Sequence, residues 1–319
     1  MIRLSIIIPF YNVERYIAQC LDRVFNQDVP EVEYEVICVN DGSPDNSREI
    51  VIEYQKKHKN LILIEHEHNK KLGAARNTGR SIARGKYIWN VDSDDYIATN
   101  CLKNILSQCE KNELDVLMFN VAAVINSTIK IDGFIFDEQD GKNYKGIDCI
   151  DKNKYQIGYL CPIWRYVYSK DFLDRNAIYS PEINMGEDIP YTFKALVLAE
   201  RVKLVNMICY YCRQNQNSLT LTKTLHPYIL YEKSYLAARI LYDVLKFIPY
   251  EYEDVKKSVK NVIRYVMYIY EDYYSNFACN EKKMFVSICR KNMMNDMCLF
   301  RIMGSSYKFK YVKLLLGLL

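Results

Sequence analysis

Strand-like and helix-like periods alternate through the first 120 residues, predicting an α/β fold with a mostly parallel sheet flanked by helices. Three observations carry that expectation. Residues 4–9 (Leu-Ser-Ile-Ile-Ile-Pro) and 34–39 (Tyr-Glu-Val-Ile-Cys-Val) are near-continuous apolar runs, as expected of strands buried on both faces. Between them Val13, Ile17, Cys20, Leu21 and Val24 recur at helical spacing. From about residue 225 strand-like runs stop and amphipathic helical periods take over, so a C-terminal α-helical region is expected over 225–319.

The elements follow in order. After the first strand, Asn12 is positioned to cap a helix. The second strand ends at Asn40-Asp41-Gly42-Ser43, a turn signal, and a helix runs on from about Asp45. Residues 61–65 make a short third strand, Gly73 to Arg84 a helix and Lys86 to Val91 a fourth strand. A helix over Asn100–Lys111 and a strand over Asp115–Phe119 come next. Residues 126–155 are less periodic and read as a surface hairpin or loop; 187–198 read as a helix and 202–212 as a strand. In the tail Val255, Val259, Val262, Ile263, Val266, Met267 and Tyr270 form an apolar stripe.

Composition narrows the function. Half of the 319 residues are apolar and 26% charged, and the net charge of +4 is too small to argue for nucleic acid. Eleven cysteines form no framework spacing and no signal peptide precedes them, so reduced thiols and a cytoplasmic chain are expected. Cys209 and Cys212 form a C-x-x-C, but no second pair or suitably placed histidines accompany it, which argues against zinc. No apolar run approaches the roughly 18 residues needed to span a bilayer.

The most telling stretch is Asp92-Ser93-Asp94-Asp95, directly after a strand that reads as buried. Carboxylates crowded there repel each other and lose hydration unless a cation sits among them. Residues i and i+2 of an extended segment point the same way, so Asp92 and Asp94 face one ligand together. A hard divalent cation held by one or two carboxylates keeps positions open for phosphate oxygens. The plainer alternative is a polar turn with a cap for the helix starting near Thr99. Three strands end in polar residues: Pro9 to Asn12, Asp41 to Ser43 and Asp92 to Asp95. Ligands of such sheets bind beyond the strands' carboxyl ends.

Five motifs in order, Ser5-Ile-Ile-Ile-Pro-Phe-Tyr-Asn12, Val39-Asn-Asp-Gly-Ser43, Gly73-Ala-Ala-Arg-Asn-Thr-Gly79, Asp92-Ser-Asp-Asp95 and Gly186-Glu-Asp188, resemble the family 2 glycosyltransferases. The resemblance covers residues 1 to about 220. It implies a GT-A fold over 1–224, with a nucleotide-binding half at about 1–120 and an acceptor half at about 121–224. It also implies inverting transfer of a sugar from a nucleotide diphosphate. Asp41 matches the family's base-reading aspartate: a carboxylate accepts from an imide N–H, which uracil offers and cytosine does not. Its alternative is a turn cap before Gly42. Pro9, Tyr11 and Asn12 would line the uracil pocket, and Arg76 and Asn77 would approach the nucleotide. Their alternative is a solvated helix face.

The resemblance places Mn²⁺ or Mg²⁺ on Asp94 and Asp92, with Ser93 beside the donor and Asp95 as ligand or support. It makes Asp188 the general base and Glu187 its support, with the reverse assignment open; plain N-terminal capping of a helix is the alternative. Arg213 and Ser218 match a later segment that approaches the diphosphate. Some relatives carry a histidine where Asn217 stands, so a third protein metal ligand is unassigned; His226 could substitute but lies further along, and its plainer reading is a helix cap or surface residue. The expected substrates are a UDP-sugar, carrying a hexose or N-acetylhexosamine, and a hydroxyl of a glycan or lipid-linked glycan in capsule, O-antigen or exopolysaccharide synthesis. Lys282, Lys283, Arg290, Lys291, Lys308, Lys310 and Lys313 make the tail basic and amphipathic. That surface suits the inner face of a membrane, or helices packed on the catalytic domain or a second copy with the lysines solvated. Two other readings compete. A nucleotidyltransferase would need a glycine-rich basic loop where Pro9-Phe-Tyr-Asn12 stands. A non-catalytic sugar-nucleotide-binding protein would not need the acidic tetrad and Glu187-Asp188 intact.

Overall fold

A computed structural model describes residues 1–125, 128–131, 142–152, 160–183, 186–214 and 226–292. Strands β1 (Leu4–Phe10), β2 (Tyr34–Asn40), β3 (Leu61–Glu65) and β4 (Tyr87–Asn90) form a parallel block in the order β3-β2-β1-β4. Helices α1 (Ile17–Phe25), α2 (Ser47–Lys57) and α3 (Leu72–Ile82) make the crossovers. Beyond β4 come two-residue β5 (Tyr96–Ile97), α4 (Leu102–Lys111) and the hairpin β6 (Val116–Ile125) and β7 (Thr128–Ile131). Then follow α5 (Gly146–Lys152), β8 (Tyr166–Ser169), α6 (Lys170–Arg175), α7 (Asp188–Leu198) and β9 (Val202–Arg213). The sheet continues β4-β8-β6-β9-β5, with β8 antiparallel to both of its neighbours.

Period-2 alternation explains the continuous apolar strands. Ile6 and Ile8 of β1 pack on one face of the sheet with Ile17, Leu21 and Leu106. Ile7 packs on the other with Ala75, Val116 and Phe193. Both faces of the sheet are covered, which is why β1 and β2 read as near-continuous apolar runs; the polar exceptions, buried Ser5 and Glu35, hydrogen-bond to each other at 2.6 Å. Gly79 in α3 lets the helix approach β1: a Cβ there would lie 2.5 Å from Ile7 Cγ2.

The chain after residue 226 is helical among the described residues: α8 (Pro227–Tyr231), a π turn, α9 (Ala237–Val244), α10 (Glu253–Tyr274) and α11 (Cys279–Lys291). Leu230, Leu241, Val259 and Phe285 share one core with α5 and α7, so these helices pack on the α/β body. Val255, Val259, Val262, Ile263 and Met267 of the α10 stripe are buried; the side chains of Val266 and Tyr270 lie outside the described residues. His226 caps α8, its Nδ1 accepting the Tyr228 N–H at 3.3 Å. No described helix is long and apolar enough to cross a membrane.

Several local expectations change. Asn12 does not cap α1. It has φ +56°, and the helix begins at Ile17 with Tyr16 before it and no side-chain cap. Asn12 instead turns the chain out of β1, a left-handed step that Asn tolerates. The region 126–155 does hold a hairpin strand, β7, which pairs with β6 ending just before it at Ile125, and also α5; 126–127, 132–141 and 153–155 lie outside the described residues. Strand β8 was not legible, being four residues with no apolar run of length.

Candidate active site

The four parallel strands end on one edge of the sheet. Asp41 follows β2 and Asp92 follows β4, with β1 between them. At ordinary strand spacing their backbones leave the sheet about 10 Å apart. The acidic tetrad is not the extended run expected from the sequence but a turn, in which the Asp95 N–H donates to the Asp92 carbonyl at 3.1 Å, though burial alternates along it. Asp92 and Asp94 are half-buried, whereas Ser93 and Asp95 are buried.

Asp95 serves the scaffold. Its Oδ1 accepts the Arg213 backbone N–H at 2.7 Å and its Oδ2 accepts the Tyr210 hydroxyl at 2.9 Å. Burial, then its acidic neighbours Asp94 and Asp92, push its carboxyl well above the usual carboxylate range. Tyr210 also takes the Asp92 N–H at 3.2 Å and stacks on Trp164 with centroids 4.4 Å apart. Thus β9 braces the tetrad from behind. Arg213 donates to the Asp94 carbonyl and to Gln19 Oε1, and lies over the rings of Tyr96 and Tyr16. Its charge stands beside the tetrad.

Helix α3 carries the motif Gly73 to Gly79, and each face does different work. Arg76 is 3% exposed and donates from Nη1 to Glu187 Oε1 at 2.7 Å and from Nη2 to Asp92 Oδ1 at 2.8 Å. It ties the tetrad to the Glu187-Asp188 pair. Asn77 reaches the opposite way: its Nδ2 donates to the Ser180 carbonyl at 2.9 Å and its Oδ1 accepts the Ser180 N–H at 3.0 Å. Its amide is committed to the segment leading toward Glu187, and it lines a separate polar groove with Arg80 and Asp174. Gly73 lies against the same segment, where a Cβ would sit 2.1 Å from the Pro181 carbonyl oxygen.

Glu187 is buried and precedes α7; Asp188 is its first residue and half-buried. Desolvation, then Glu187, push the Asp188 carboxyl up to about 7; Asp92 adds to the rise and Arg76 opposes it. A carboxylate so placed holds a proton far more readily than a solvated one.

Asp41 is 4% exposed and fully engaged on one side. Its Oδ1 accepts the Lys70 N–H at 2.8 Å and pairs with His66 Nδ1 at 2.7 Å; its Oδ2 accepts the Lys71 N–H at 2.9 Å. It does not merely cap the turn at Gly42. The charge sits at the amino end of α3, where the helix dipole favours it. The strand ends are stitched by the Asn12 N–H to Ser43 Oγ at 3.3 Å and the Ser43 N–H to Asn40 Oδ1 at 2.9 Å. Pro9 is buried within β1, while Tyr11 beyond it is 45% exposed.

The structure therefore gathers Arg76, Asp92, Glu187 and Asp188, with Asp94, Asp95 and Arg213 alongside, and sets Pro9, Tyr11, Asn12 and Asp41 along the same strand edge. Asn77 turns away. Ser218 and Asn217 lie outside the described residues. Sequence reasoning missed Tyr210, Trp164, Gln19 and His66. Tyr210 stands three residues before Arg213, but nothing in a tyrosine-rich chain marks one tyrosine as a brace.

Asp92 and Asp94, both half-buried, carry hard oxygen donors of the kind that suit Mg²⁺ or Mn²⁺ sharing a diphosphate. No cluster of three or more His, Cys, Asp or Glu able to hold a metal occurs among the described residues.

A mixed sheet with this order and an acidic edge is a GT-A fold, and the comparisons agree. The structure superposes on Staphylococcus aureus TarS residues 1–349 in complex with UDP-GlcNAc with a TM-score of 0.72, at 23% identity over 94% of this chain and 83% of that one. The model of glycosyl transferase family 2 matches residues 5–167. The chain belongs to that family. It is 33% identical to the uncharacterized glycosyltransferase EpsJ of Bacillus subtilis, over 68% of this chain and 62% of that one. It is 32% identical to the poly(ribitol-phosphate) beta-glucosyltransferase of Bacillus spizizenii, over 66% and 32%. The match thus spans less than two thirds of either relative.

Proposed function

We propose that this chain is an inverting glycosyltransferase that moves a hexose or N-acetylhexosamine from a UDP-sugar to a hydroxyl of a glycan acceptor in surface-polysaccharide synthesis. The observation that carries the reading is the Arg76 bridge between Asp92 and Glu187. It sets the acidic tetrad beside the Glu187-Asp188 pair, as transfer from a diphosphate requires. Family membership and the poly(ribitol-phosphate) activity in a relative's name support the substrate class.

In this mechanism the acceptor hydroxyl attacks the anomeric carbon from the face opposite the diphosphate. The new C–O bond forms as the bond to the diphosphate oxygen breaks, the electron pair leaves with UDP, and the hydroxyl proton passes to the Asp188 carboxylate. Its raised proton affinity suits a general base working near neutrality. Glu187, held by Arg76, supplies negative charge beside it. Asp92 and Asp94 would hold Mn²⁺ or Mg²⁺, which supplies Lewis-acid stabilisation of the departing diphosphate. Asp41 takes the uracil imide N–H on the unfilled side of Oδ2, with Pro9, Tyr11 and Asn12 around the base. Arg213 approaches the diphosphate, and Asn77 contributes by fixing the Ser180 segment.

The protein works at the cytoplasmic face of the membrane. Exposed Lys257, Lys283, Arg290 and Lys291 on α10 and α11 support contact with anionic headgroups. A thermal-shift screen of nucleotide sugars with and without Mn²⁺ tests the donor. Stabilisation by UDP-sugars with the metal is expected, and none by any UDP-sugar rejects the reading.

A further inference from the structure

Asp41 is the end of a hydrogen-bond chain that begins on α3. Thr78 Oγ1 lies 2.9 Å from His66 Nε2, and His66 Nδ1 lies 2.7 Å from Asp41 Oδ1. His66 and Asp41 are 8% and 4% exposed. The three residues come from three elements: Asp41 just after β2, His66 just after β3, and Thr78 on α3. The pattern is self-consistent when the Thr78 hydroxyl donates to Nε2 and the Nδ1–H donates to Asp41. A ring nitrogen's partner fixes which nitrogen carries the proton. With the Lys70 and Lys71 N–H groups, this fills both acceptor positions of Oδ1 and one of Oδ2. A carboxylate has about four such positions, so among the described residues one remains, on Oδ2.

We propose that His66, with Thr78 behind it, is a positioning residue for base selection. It locks the Asp41 carboxylate so that the single open lone pair on Oδ2 meets an imide N–H. The proposal rests on the reading of Asp41 as the uracil contact. A carboxylate free to rotate would present either oxygen and could be approached at several angles. A locked one accepts along one direction, which uracil N3–H satisfies. Cytosine presents a bare N3 lone pair to the same oxygen and is repelled. A site built around one hydrogen bond rejects a ligand lacking it by more than its affinity for either ligand suggests.

The test is calorimetric titration of the full chain with UDP and with CDP, both in the presence of Mn²⁺, for wild type and four variants. Asp41→Asn is expected to erase the UDP preference. His66→Leu, which removes the donor at similar bulk, is expected to cut the UDP-to-CDP affinity ratio at least tenfold. His66→Asn places an amide N–H where Nδ1 stood and is expected to return the ratio to within about threefold of wild type. Thr78→Val, isosteric and on a half-buried position, is expected to lower the ratio about threefold. Should His66→Leu fail to fold, Thr78→Val carries the test alone. A wild-type ratio in His66→Leu, or in Thr78→Val where it stands alone, overturns the inference while an Asp41→Asn loss keeps the uracil reading. Equal losses in His66→Leu and His66→Asn also overturn it, because donation is then not what matters. A wild-type ratio in Asp41→Asn removes the uracil reading itself, and the inference with it.

Discussion

Arg76 reaches Glu187 across 111 residues of chain, Nη1 to Oε1 at 2.7 Å, in a setting where both side chains are almost fully buried. The same guanidinium holds Asp92 at 2.8 Å. One residue of α3 thereby fixes the relation between the tetrad after β4 and the acidic pair at the start of α7.

Removing that guanidinium leaves acids facing one another without compensation. Arg76→Met is expected to destabilise the fold by about 3 kcal/mol, the usual scale for breaking a buried ion pair from one side. Denaturant unfolding followed by circular dichroism measures it. A change near zero would mean that Asp92 and Glu187 find water or other partners.

As the proposed general base, Asp188 is expected to set the pH dependence of transfer. Its carboxyl is raised to about 7, and only its deprotonated form accepts a proton. Activity is therefore expected to rise with pH through an acidic limb near 7. For stability the sign is opposite: a carboxyl raised on folding costs stability as pH climbs from the unfolded value toward about 7. Arg76→Gln removes a cause that opposes the rise, so the limb should move to higher pH. A pH–rate profile of both proteins checks the direction.

Asp188→Asn keeps the size and removes the proposed base. Transfer is expected to fall 10²-fold or more, the range for removing general-base help, while UDP affinity measured by calorimetry stays within about twofold. Lost UDP affinity would place Asp188 in binding rather than proton transfer.

Gly73→Ala probes the segment that delivers the pair. The added methyl meets the Pro181 carbonyl oxygen at 2.1 Å, so α3 or the Ser180–Pro181 backbone must shift. Misplacement on the 1 Å scale costs about 10²-fold in rate. A lowered kcat with little change in UDP affinity is expected from steady-state kinetics.

The sheet core was legible because strands dry on both faces write continuous apolar runs, as β1 and β2 do. The acidic residues were legible because charge at a strand end needs a reason. What stayed hidden depends on partners distant in sequence. Nothing local says that Asn77 spends its amide on Ser180, that Asp95 is a brace held by Tyr210, or that Asp41 is filled on one side by His66. Strand β8 escaped because its position between β4 and β6 is set by pairing, not by its own four residues. Asn12 misled because a helix-capping residue type also suits a left-handed turn.

The most direct measurement is calorimetric titration of UDP into wild type and Asp94→Asn, each with Mn²⁺ and with excess chelator. The account predicts UDP binding by wild type that strengthens at least tenfold with Mn²⁺, and no such gain in Asp94→Asn. Equal UDP affinity with Mn²⁺ and with chelator in the wild type would contradict it.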